Sequence, residues 1–178
     1  MAEILVLVDH ADGAVRKPAL ELLTLARRIG EPSAVVLGAG EAAASIAATA
    51  GEYGAATVYV ADGAEFTEQL VVPKVDALTQ LAQEKGAAAV LVTSSGEGKE
   101  IAARVALRLG SGLITDAVEL EAGDKGPVAT QSVFAASYQV KSTVSHGVPV
   151  IRRRVPRPAG PGSCRWARSR PAAGAGTR

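Results

Sequence analysis

Short runs of β-branched and aliphatic residues alternate with longer segments of helical spacing over most of the chain. Ile4–Val8 is the first run, closed by the turn-forming residues Asp9-His10-Ala11-Asp12-Gly13. Leu20, Leu23, Leu25, Ala26 and Ile29 then recur near the helical period. They predict a helix over Pro18–Ile29, with Pro18 in the first turn and Gly30 as its stop. The same rhythm predicts strands at Ser33–Leu37, Thr57–Val60 and Ala88–Thr93, and helices at Glu41–Ala50, Val72–Lys85 and Glu97–Leu109. Strand–helix–strand crossovers are right-handed, so helices are expected on both faces of a mainly parallel sheet.

The rhythm changes at Gly110. Leu113–Ala117 reads as a fifth strand with no helix after it. Val118–Glu121, Val128–Ser132, Ala135–Lys141 and Val148–Ile151 read as short strands joined by turns such as Ala122-Gly123-Asp124-Lys125-Gly126. The expected fold class is α/β: a three-layer, Rossmann-like domain over residues 1–151, its mainly parallel sheet ending in a short β meander. After Ile151 the apolar periodicity stops. Residues 152–178 are mostly Arg, Pro, Gly and Ala, which bury too little apolar surface to offset chain entropy, so a disordered basic tail is expected there.

Charge sharpens that division. The net charge of +1 averages two unlike regions. Residues 1–151 hold all 18 acidic residues and 11 of the 19 Lys and Arg, a formal charge of −7, while residues 152–178 hold eight Arg and no acid, +8. An acidic body is no electrostatic match for nucleic acid, and no specific nucleic-acid partner is expected. Aromatic residues make up 3% of the chain, and the apolar content is dominated by Ala and Val, which suits closely packed helices over a sheet. Cys164 is the single cysteine, so no intramolecular disulfide is possible. The apolar run at the N-terminus has no basic segment before it and falls short of the ~20 residues that span a bilayer. A cytoplasmic protein with no membrane segment is the expectation.

Candidate chemistry is sparse. Gly38-Ala39-Gly40-Glu41-Ala42-Ala43 fits a G-x-G-x-x-A loop between a strand and a helix, with Asp62 placed 24 residues after Gly38. Dinucleotide-binding folds use such glycines to bring backbone against a pyrophosphate, and an acid to hold the ribose. That loop belongs in the first strand–helix unit, however, and here it sits in the second, so an unliganded helix entry fits as well. Thr93-Ser94-Ser95-Gly96-Glu97-Gly98-Lys99 precedes another helix, but Glu97 and Glu100 would repel a phosphate. Ser94 or Ser95 is expected to cap that helix. His10 and His146 are the two histidines, and neither has a partner at metal-ligand spacing. No nucleophile–base set or carboxylate pair stands out. No catalytic, cofactor-binding or metal-binding residue is therefore assigned, and the chain is not expected to be an enzyme.

Several segments together resemble the N-terminal domain of electron-transfer flavoprotein alpha subunits. They are Ile4–His10 with Asp12-Gly13, Gly38–Glu41, Tyr53–Val60, and above all Thr93–Arg104 continuing through Leu109–Asp116. The resemblance covers about residues 3–151. It implies a heterodimeric, FAD-containing carrier that accepts electrons from acyl-CoA dehydrogenases of fatty acid β-oxidation and from related flavoenzymes. It also implies a beta subunit as partner and FAD held mainly by a C-terminal domain, through a Gly/Ser-rich segment with an Arg and a His. That segment is absent here, so no FAD is expected on this chain alone, and the AMP of the related beta subunit has no reason to transfer. Where the family would continue its last strand, Arg152-Arg153-Arg154 begins the basic stretch, as an out-of-frame reading of GC-rich DNA would give. Two rival expectations remain: a free-standing adenine-nucleotide-binding sensor domain, and an NAD-dependent enzyme using Gly38–Ala43.

Overall fold

The computed structural model describes residues 2–134 and 137–154. β1 (Glu3–Leu7) is followed by a tight hairpin of β2 (His10–Ala11) and β3 (Ala14–Val15), then by α1 (Lys17–Ala26). β4 (Glu31–Leu37), a 3₁₀ turn at Gly40–Ala42, α2 (Ala43–Glu52) and β5 (Thr57–Ala61) complete the first half. The short α3 (Glu65–Glu68) leads to α4 (Val72–Lys85), β6 (Ala89–Thr93) and α5 (Gly96–Arg108). The chain closes with β7 (Leu113–Gly123), β8 (Gly126–Val133), β9 (Tyr138–Ser142) and β10 (Val150–Arg153).

Eight strands form one sheet in the order β5-β4-β1-β6-β10-β7-β8-β9. From β5 to β7 the neighbours are parallel, and β7, β8 and β9 are antiparallel. Alternation along β1 divides the core in two. Ile4, Val6 and Val8 pack with Leu22 and Leu23 of α1 and Ile46 of α2, while Leu5 and Leu7 pack with Val75 and Leu78 of α4 and Ile101 and Val105 of α5. A strand buried on both faces needs apolar side chains at every position, which is why Ile4–Val8 reads as an unbroken apolar run. The α/β three-layer expectation holds.

Three features depart from the expected pattern. Leu113–Ala117 and Val118–Glu121 are one strand and not two, with Asp116 at φ 55 where the pairing of β7 with β10 slips register. A residue in that conformation inserts a bulge, so the strand bends without ending. The hairpin of His10–Val15 occupies what reads as a simple turn. The last strand leaves the meander altogether. β10 slots between β6 and β7, parallel to both, where Val150 and Ile151 are completely buried.

Arg152 and Arg153 continue β10, so the boundary expected after Ile151 falls inside a strand. Arg152 is 8% exposed. Its Nη1 donates to Ser94 Oγ at 2.6 Å and its Nη2 to Asp116 Oδ2 at 3.0 Å. Arg153 Nη1 donates to Glu21 Oε2 at 3.2 Å, and the Arg154 amide donates to Ala117 O at 2.9 Å. Long arginine stems lie along apolar surface while their charged ends reach acceptors at its rim, which is how a charged pair closes a central strand. The rest of the expected tail, residues 155–178, lies outside the described residues.

Replacing Ile151 by Ala should cost about 2–5 kcal/mol, the range for a fully buried aliphatic side chain, read as a lower urea midpoint at unchanged slope. Arg152→Ala, which removes two bonds from a buried guanidinium, should cost about 1–3 kcal/mol in the same assay. A loss below ~0.5 kcal/mol for either would mean that β10 is not part of the cooperative fold.

Candidate functional site

In open parallel sheets, ligands bind beyond the carboxyl ends of the strands, where successive connections run to opposite sides. Here that point is at β1, which has β4 on one side and β6 on the other. Asp9 and His10 extend from β1, Leu37 ends β4, Thr93, Ser95, Glu97 and Gly98 come from β6 and α5, and Lys74 comes from α4. The crevice they line has a volume of about 60 Å³. That admits a few waters, whereas small-molecule sites run to ~300 Å³ or more.

Its polar groups are engaged with each other. His10 Nε2 lies 3.1 Å from Leu37 O. A carbonyl can only accept, so Nε2 carries the proton. Asp9 Oδ1 pairs with Arg16 Nε at 3.5 Å, and Thr93 Oγ1 faces Asp9 Oδ2 at 3.5 Å. Lys74 Nζ meets Glu97 Oε1 at 2.6 Å, across the start of α5. Ser95 Oγ accepts from the Gly98 amide at 3.0 Å, which is the cap expected of Ser94 or Ser95. Ser94 instead receives Arg152. A Cβ at Gly98 would collide with the Thr93 carbonyl, so glycine lets α5 start tight against the end of β6. This loop is a helix cap closed by an ion pair, and Glu100 is taken by Arg104 at 2.7 Å.

The Gly38–Ala43 loop has a different fate from the one its motif suggests. The amides of Ala39 and Gly40, which would meet a pyrophosphate, both donate to Asp62 Oδ1, at 2.9 and 3.0 Å. Asp62, placed by its spacing to hold a ribose, supplies the anion itself. A dinucleotide phosphate would have to displace this carboxylate and then face its charge. In this structure the loop is a nest of backbone amides whose anion is Asp62.

His146 is exposed near the start of β10, with Nδ1 3.1 Å from Ser145 Oγ and, among the described residues, no carboxylate paired with it. Among the described residues, no group of three or more His, Cys, Asp or Glu is placed to hold a metal ion. No described helix is long and apolar enough to cross a membrane. Two contributors escaped sequence reasoning: Asp62 as a loop anion and Arg152 as the link from β10 to Ser94 and Asp116. Asp62 carried a signal, since its spacing after Gly38 already associated an acid with that loop. Arg152 carried none, because its surroundings in sequence read as solvent-exposed.

Asp62→Ala should cost about 1 kcal/mol, at the low end for a bond to a charged group because the carboxylate is exposed to water. The measurement is urea denaturation beside Asp62→Asn, whose side-chain oxygen can still accept and which should keep part of the stability. Equal stability of Asp62→Ala and the parent would mean that the nest holds nothing in solution.

Comparison with known proteins is consistent with this architecture. The model of the electron transfer flavoprotein domain matches residues 4–174, reaching past the boundary expected at Ile151. The chain is 42% identical over 154 residues to the electron transfer flavoprotein subunit alpha of Mycobacterium tuberculosis (strain H37Rv), covering 86% of this chain and 48% of that protein. The corresponding subunit of Mycobacterium leprae is similar to the same degree and extent. That of Syntrophomonas wolfei is 33% identical over 152 residues, covering 85% of this chain and 47% of that protein. The chain thus spans about half the length of the curated relatives it matches. With a family match through nearly its whole length and the sheet to go with it, this chain belongs to the electron transfer flavoprotein domain family.

Proposed function

We propose that this chain is the N-terminal scaffold domain of the alpha subunit of a heterodimeric, FAD-containing electron carrier. In this reading the whole carrier takes electrons from acyl-CoA dehydrogenases of fatty acid β-oxidation and from related flavoenzymes, works in the cytoplasm, and is not itself an enzyme. The observation that carries the reading is the extent of the likeness: it runs through 86% of this chain yet reaches 48% of the alpha subunit.

Two observations on the described residues count against FAD on this chain. A flavin dinucleotide needs a large concave site with free donors for its pyrophosphate and ring. The crevice at the end of β1 has about 60 Å³, and in the wider hollow of about 460 Å³ beside Gly38 and Asp62 the two loop amides best suited to a phosphate are bound to Asp62. FAD binding is therefore assigned to the part of the relatives that this chain does not span, and the beta subunit is the partner that completes the carrier. The same two observations disfavour the adenine-nucleotide sensor and the NAD-dependent enzyme.

The test is spectroscopic and calorimetric. The purified chain should show no visible flavin absorbance, and titration with AMP or NAD should give no saturable heat. A stoichiometric flavin spectrum would overturn the scaffold reading. Saturable AMP binding would favour the sensor, and saturable NAD binding the dehydrogenase.

A further inference from the structure

We draw no further inference here: the strongest candidate, the hollow of about 440 Å³ lined by Lys17, Glu21 and Arg28 of α1, by Tyr53 and by Arg153 of β10, has its three cations already paired with Glu21 and Glu119, and nothing in the structure shows what covers it.

Discussion

Everything in this fold depends on the burial of β10 between β6 and β7. Val150 and Ile151 belong to different cores, one on each face of the sheet, so the strand that carries them must be covered on both sides. A terminal strand of the meander would leave one face in water, and the loss would be about 25 cal/mol per Å² of apolar surface left exposed. The slot beside β6 meets the requirement because α1 and α5 already cover its two faces. Once β10 is there, β7 becomes its outer neighbour, and the antiparallel β8 and β9 are pushed to the rim.

The same placement carries charge to the carboxyl edge. β10 ends in arginines, and a central parallel strand delivers them beside the loops where such sheets usually hold ligands. Arg152 settles between Ser94 and Asp116, and Arg153 reaches Glu21. Asp116 is available because the bulge in β7 turns it out of the ladder. Asp62 fills the loop of Ala39 and Gly40, and Lys74 closes on Glu97. Each device spends on the protein itself a donor that a related fold could spend on a phosphate. The physical outcome is an edge whose best-placed donors and charged side chains are satisfied within the protein itself.

Much of this was legible in the chain. The strand–helix alternation, the two-sided burial of Ile4–Val8, the cap before α5 and the change of rhythm at Gly110 all follow from spacing over a few residues, where side-chain period and backbone geometry are tied together. The acidic character of the body and the resemblance of its ordered motifs were equally local. What tertiary structure alone decided was which strand lies beside which, and what each loop does with its polar groups. Val118–Glu121 looks like a separate strand because nothing nearby announces a bulge, and Val148–Ile151 looks like a meander strand because its partners are far away in sequence. Arg152 looks exposed among arginines, yet its acceptors arrive from β7 and the β6–α5 loop. The G-x-G-x-x-A pattern specifies a backbone that can bind an anion, and only the fold settles that the anion is Asp62. Burial and hydrogen bonding are satisfied by whatever group is near in space, and nearness in space is the one property that a linear pattern does not contain.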